Sequence, residues 1–225
     1  MLECIKHWIS LRKGKTLTVK TAPRCYNPYS HTTLHDCYLN TGFYPIRTLA
    51  NHYIPVSHTA FQCIIKPSEK RRLRKSKTAG LSAVLNSTVS TAEAYSFLKQ
   101  CRECNGYSLS ISLFQLEILR LTFPDKFLIF TVFDETKIVA LTVAVFAGDQ
   151  ILYLFLSAYL QAYSTYSPHV LLVEKIYEYC QQHDINILDL GISLDSQNAH
   201  KDSLSRFKEN IGGKECEKVT YRLKF

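Results

Sequence analysis

The sequence predicts a mixed α/β protein built on a central mixed sheet, and three observations carry that prediction. Residues 126–159 hold three runs rich in β-branched and aromatic residues, joined by short polar turns, which is the pattern of an antiparallel meander. A proline-started helix and a buried strand follow, adding a β-α-β crossover to the meander. Upstream, Ser90 to Glu93 and Ser112 to Gln115 each form a capping box that opens a helix.

Taken in order, residues 1–13 suit an amphipathic helix and KTLTVK (15–20) an extended strand. A connection rich in proline and tyrosine leads to a helix over TLHDCYLNTG, with Gly42 as its stop. FYPIRTLANHYIPV predicts short extended pieces broken by Pro45 and Pro55. The basic run KPSEKRRLRKSK (66–77) reads as a helix ended at Gly80, and LSAVLNSTV (81–89) as a strand. The helix from Ser90 runs to about Cys104, stopped by Asn105 and Gly106, and the helix from Ser112 is closed by Pro124.

The meander strands are expected at 126–133, 137–146 and 150–159. Both side-chain parities of the middle strand are apolar, so the sheet should be covered on both faces. Ser167 as N-cap and Pro168 at the first helical position start a helix to about His183, and INILDLGIS (185–193) is a buried strand. Asp202 or Ser203 caps the helix SLSRFKENI, which Gly212 and Gly213 end before a last strand, KVTYRLKF.

Composition narrows the class of function. With 46% apolar and 12% aromatic residues in 225, the chain has ample material for a core. Of the net charge of +8, the run 66–77 supplies +6, from seven cations against Glu69, so the rest is close to neutral. Such a run is either a solvated helix face or a site for a polyanion, and without interleaved aromatics it does not by itself indicate nucleic acid. Eight scattered cysteines, in a chain large enough to need no staples, and an N-terminus without a secretory apolar core, predict a reduced cytoplasmic protein. Cys101 and Cys104 lack a second ligand pair for zinc and read as semi-buried small hydrophobes. Residues 138–160 approach the length of a membrane span, but Gly148, Asp149 and Gln150 split them into a hairpin. No membrane span is expected.

Chemistry is suggested at three places. The loop before Pro168 opens onto a helix N-terminus, where amides and the dipole favour a pyrophosphate or carboxylate near Ser164 to His169, although simple capping would explain it as well. The loop has no glycine to let a phosphate approach the backbone closely. Asp189, mid-strand among apolar neighbours, is either a hydrogen-bonded structural carboxylate or a base acting on an amine. The Arg-Phe-Lys run of SRFKENIGG, stopping at two glycines, is more specified than a C-terminal tail needs and suggests that something is held there, unless Arg206 and Lys208 are surface cations flanking a core Phe207. The histidines show no spacing that would hold a metal, and no nucleophile elbow or Ser/His/Asp arrangement is legible.

RRLRKSKTAGL (71–81), SPHVLLVEKIYEYC (167–180), ILDLGIS (187–193) and SRFKENIGG (205–213), in that order and spacing, resemble the GNAT-superfamily branch of the Fem aminoacyltransferases and BioF-like acyltransferases. The stretch from TVKTAPRCYNPYS to LHDCYLNTGFYPI resembles the last part of that family's first GNAT-like half. Family members carry two tandem halves. The resemblance therefore implies a remnant of the first half over 1–65, lacking most of it, and a GNAT-like acyltransferase domain over 66–225, with splayed strands seating the acyl group.

It further implies transfer of an acyl or aminoacyl group to a primary amine, on a small molecule or peptide, by direct attack. The co-substrate would be acyl-CoA or aminoacyl-tRNA, with no tightly bound cofactor and no metal. Lys208 and Asp189 are the expected catalytic residues. Tyr159, Ser164, Ser167 and His169 are expected to hold the donor, and Arg71, Arg72 and Arg206 the substrate. The alternatives are a non-catalytic GNAT-like scaffold, a nucleic-acid-binding protein using the basic helix, or a subunit completed by a second copy through the N-terminal segment.

Overall fold

The computed structural model describes residues 2–195 and 197–225. In chain order the elements are α1 (Leu2–Leu11), β1 (Thr16–Lys20), α2 (Pro28–Asn40), β2 (Tyr44–Pro55), α3 (Phe61–Ile64), α4 (Pro67–Thr78), β3 (Ser82–Leu85), α5 (Thr91–Glu103) and α6 (Leu113–Thr122). They continue as β4 (Phe127–Asp134), β5 (Lys137–Gly148), β6 (Ile151–Tyr159), α7 (Pro168–Gln182), β7 (Ile187–Ile192), α8 (Asp202–Asn210) and β8 (Lys214–Lys224). The mixed α/β class is as the sequence predicts.

The chain divides into two compact units, one of residues 1–51 with 215–225 and the other of residues 52–214. In the first, β8 lies between β1 and β2, and β1 pairs antiparallel with β8 from Thr16 opposite Lys224 to Lys20 opposite Thr220. Phe43, Val219, Tyr221 and Leu223 form its small core, with Tyr38 stacked on Tyr221 at 4.8 Å between ring centroids. α2 starts earlier than expected because Asn27 accepts a hydrogen bond from the Ser30 amide at 2.9 Å and Pro28 takes the first helical position. β2 is one strand of twelve residues rather than broken pieces. Its prolines sit second and last, where a missing amide costs the ladder least.

In the larger unit the strands run in the order β7-β6-β5-β4-β3. β3 to β6 are antiparallel neighbours, whereas β6 and β7 are parallel, as the β-α-β reading requires. β5 is covered on both faces. Val139, Ala140 and Ala144 join the core under α7 with Leu172, Ile176 and Tyr177, while Leu141 and Val143 pack in a second core with Leu98 of α5 and Leu116 of α6. Both capping boxes form, Ser90 with Glu93 and Ser112 with Gln115.

Four local expectations are corrected here. β3 stops at Leu85 because Asn86 turns the chain, its Oδ1 accepting from the Thr88 and Val89 amides at 3.0 and 3.2 Å. A short 3-10 turn over Gln161–Tyr166 replaces open loop, and Ser167 follows in the left-handed region (φ 52°, ψ 51°) with no side-chain cap on α7. Lys201, not Asp202 or Ser203, occupies the N-cap of α8, again without a side-chain bond. β8 begins four residues before KVTYRLKF.

Candidate functional site

β6 and β7 pair as Ile151 with Ile187, Leu152 with Leu188 and Tyr153 with Asp189. Beyond Tyr153 and Asp189 both strands continue, and their residues line the two sides of a cleft of about 640 Å³. The opening has a local cause in β6. Against β5, Leu154 sits opposite Ala144 and Leu156 opposite Val143, so Phe155 is an extra residue and the strand bends there. Across the gap Gly191 adopts φ +73°, and a Cβ on it would come within 3.1 Å of the Tyr153 ring. Only glycine fits both the conformation and the close approach.

Lys208 enters the cleft from α8 yet is only 6% exposed. The buried face of that helix turns it inward, and its Nζ donates to the carbonyl oxygens of Gly191 at 2.8 Å and Ile192 at 2.7 Å. An ammonium has three donors, so one remains after these two. Burial lowers the Lys208 pKa to about 8 despite the opposing pull of Asp189. Phe207, one residue earlier, is half-buried and turns its ring to His169 at 5.5 Å.

His169 projects from the first turn of α7, with Tyr159 6.3 Å away between centroids. Its Nδ1 lies 3.3 Å from Ser157 Oγ, which in turn lies 2.6 Å from Thr142 Oγ1 on β5. Burial, followed by the nearby Lys208 charge, pushes the imidazole down to about 4.

The mouth of the cleft is fixed by α4. Its inward face carries Glu69, Leu73 and Ser76, all buried. Ser76 Oγ donates to the carbonyl of Tyr166, holding α4 against the chain just ahead of α7. Glu69 accepts from Arg72 at 2.9 and 3.2 Å, and this side chain reaches the cleft. Lys75 covers the Tyr166 ring at 5.5 Å and Lys77 pairs with Glu174 at 2.7 Å. The basic run is thus partly structural.

The family profile described as "Acetyltransferase (GNAT) domain" matches residues 70–208, well over half of the chain. The chain belongs to the GNAT acetyltransferase family. No curated protein matches. Among solved structures, FemX shares 12% identity with a TM-score of 0.75, over 100% of this chain and 75% of its own. L-PGS from Bacillus licheniformis shares 12% at a TM-score of 0.66, over 98% of this chain and 71% of its own. A tandem GNAT protein from the clavulanic acid biosynthesis pathway shares 10% at 0.56, over 97% and 66%. The GNAT fold is of the Fem-like kind expected, and the family's reaction is acyl transfer.

Within this GNAT domain the expected site residues fall into two groups. Tyr159, Ser164, Ser167, His169, Arg72 and Lys208 all line the cleft. Arg71 and Arg206 are exposed and lie outside the lining, as does Asp189, which is 2% exposed and accepts from the Gly191 amide at 2.8 Å. Sequence reading overlooked Ser157 and Thr142, because two hydroxyls on neighbouring strands carry no linear signal. It also overlooked Tyr107 and Lys201, joined at 2.9 Å on the cleft wall, since they are brought together across 94 residues. Among the described residues no Asp or Glu lines the cleft, while Arg72, Arg102, Lys201 and Lys208 do. No described helix is long and apolar enough to cross a membrane.

Proposed function

We propose that the chain is an N-acyltransferase that takes an acyl or aminoacyl group from a polyanionic carrier and delivers it to a primary amine on a small molecule or peptide. The observation that carries this reading is the cleft's charge. Among the described residues it holds four cations and no lining carboxylate, and Lys208 keeps an N–H beyond its two bonds at the inner side of two strands that part.

The carrier's phosphates are placed at the mouth, by Arg72, Ser164, Ser167 and the α7 N-terminus that no side chain caps. Its acyl group lies between β6 and β7. The free amine attacks the acyl carbon, the C–N bond forms, and the carbonyl pair moves onto oxygen, where Lys208 supplies its third proton as a hydrogen bond. When that pair returns, the bond to the carrier's sulfur or oxygen breaks, and the amine's surplus proton leaves with the carrier or to water. Positioning supplies most of the barrier reduction in such a reaction. In this reading Asp189 acts through Lys208, favouring its charged form, without touching substrate.

Acyl-CoA and aminoacyl-tRNA both fit the mouth. The exposed Arg71 and Arg74 on α4 favour a larger polyanion such as tRNA, and the cleft of about 640 Å³ between the parting strands favours CoA. The first unit exposes Trp8, Leu11 and Tyr29, which supports a second copy pairing there. The test is calorimetric binding of acetyl-CoA, a long-chain acyl-CoA and total tRNA at two salt concentrations. Saturable CoA binding weakened by Lys208→Ala supports the CoA-dependent transferase. Binding of tRNA alone moves the donor to aminoacyl-tRNA, and binding of neither overturns the transferase reading.

A further inference from the structure

The chain of hydroxyls behind His169 has a direction, and that direction decides what the imidazole can do. Thr142 is fully buried, and its Oγ1 makes one hydrogen bond, with Ser157 Oγ at 2.6 Å. A buried hydroxyl proton without an acceptor is costly. The Thr142 proton therefore points to Ser157, and the Ser157 proton has Nδ1 of His169, at 3.3 Å, as its one further partner among the described residues, so donation to that nitrogen is the arrangement that satisfies both hydroxyls within the protein. In the reverse direction the Thr142 proton would have no acceptor. With Nδ1 accepting, a neutral ring carries its hydrogen on Nε2. Among the described residues Nε2 makes no hydrogen bond, and His169 lines the cleft.

We infer that Thr142 and Ser157 lock His169 as a neutral Nε2–H donor, and that His169 with Lys208 forms a two-sided oxyanion site for the acyl carbonyl. The oxyanion role rests on the transferase reading above, whereas the tautomer does not. The ring neither takes nor gives a proton during the reaction. As the carbonyl pair moves onto oxygen the two donors shorten their bonds to it, and they relax when the pair returns. Ser157 and Thr142 are positioning residues. His169 is a catalytic residue, as a donor rather than as a base.

The charged and titratable groups around the ring agree with this assignment. Lys208 acts on the ring from α8 and Tyr159 lies beside it from β6, while Arg72 of α4 and Tyr153 of β6 line the same cleft. Burial disfavours an imidazolium most and the Lys208 charge adds to it, with no carboxylate among the described residues lining the cleft to offset them. A base would need the opposite surroundings.

The experiment is 15N NMR of the histidine rings in the full chain without ligand, with the His169 signals assigned by their loss in His169→Gln. The expected result is one tautomer protonated at Nε2 across pH 5.5 to 8, with no titration near the ordinary histidine pKa of about 6.5. A ring protonated at Nδ1, or one that becomes imidazolium in that range, overturns the inference. Ser157→Ala should shift both nitrogens toward a mixture of tautomers, and an unchanged spectrum would also overturn it. If that variant does not fold, Thr142→Val gives the same readout, and the wild-type spectrum is decisive without either.

Turnover separates donor from base. With acetyl-CoA as the donor probe and CoA thiol release in the presence of primary amines as the readout, His169→Ala should lower kcat by about 10²- to 10³-fold. His169→Gln, which keeps an N–H, should stay within about ten-fold of wild type. Equal losses in the two variants overturn the donor role. A correct tautomer with binding of neither acyl-CoA nor tRNA would instead sink the transferase reading alone.

Discussion

Lys208 offers a test that needs no substrate, because its buried charge must appear in the pH dependence of folding. Its pKa falls from 10.5 to about 8 in the folded chain, with burial the main cause. Below pH 8 both states are protonated and the full cost of burying the ammonium is present. Between pH 8 and 10.5 the folded state has lost its proton while the unfolded state has not, so the unfolded state binds more protons and stability rises with pH. For these two values the linkage relation gives a gain of about 2 kcal/mol between pH 7 and 9.5. Other groups act oppositely over part of this range. Cys101 and Cys180 are raised to about 11 and about 12 by burial, and they erode stability as the unfolded thiols ionise above 9. Subtracting the Lys208→Met variant removes their contribution. Urea unfolding of both proteins across pH 7 to 9.5 should show the difference, wild type minus variant, rising by about 2 kcal/mol. A flat difference would refute the depressed ammonium. If the same proton stabilises the oxyanion, kcat/KM should fall as pH rises through about 8.

Two further pairs of substitutions test the same geometry. Gly213→Ala places a Cβ 2.5 Å from the Lys208 carbonyl oxygen, which is backbone and cannot rotate away, whereas Gly80→Ala meets nothing within 4 Å and only strains φ +80°. Urea titrations should show a loss of about 3 kcal/mol or more for the first and about 1 for the second, and equal losses would contradict this packing of α8. Arg72→Ala should weaken polyanion binding and reduce its salt dependence, while Arg71→Ala, outside the cleft lining, should leave acetyl-CoA binding within about two-fold in calorimetry.

What could be read from the sequence, and what could not, follows from the range of the interactions involved. The capping boxes at Ser90 and Ser112, the covered β5 and the parallel pairing of β6 with β7 are set by local chemistry or by a pattern within one strand, and all were legible. β2 differs from the expected broken pieces because proline does not break a strand wherever it occurs. Its effect depends on whether the missing amide falls at a strand end, and that is a property of the sheet. The cleft was legible in outline, since six expected residues line it. The hydroxyls behind His169, the Tyr107–Lys201 pair and the place of Asp189 were not. Asp189 sits on the strand expected to carry it, but whether a carboxylate there meets substrate or backbone depends on the turn at Gly191, whose amide it accepts at 2.8 Å.

The same reasoning bears on why this cleft would use donors rather than a base. A carboxylate placed between β6 and β7 would pair with Lys208 and consume its third N–H, and it would repel a phosphate-bearing carrier at the mouth. Asp189 is instead buried within β7 outside the cleft lining, close enough to favour the charged lysine, and it accepts from the Gly191 amide. His169, beside the same cation, is held neutral. The amine must then arrive already deprotonated, or lose its proton to water or the departing carrier. Acceptors with a less basic amine should consequently react at lower pH, and the acid limb of kcat/KM should follow the acceptor's own pKa rather than any group of the protein. A limb that stays fixed while the acceptor amine is varied would show that a protein base exists and that this account of the cleft is wrong.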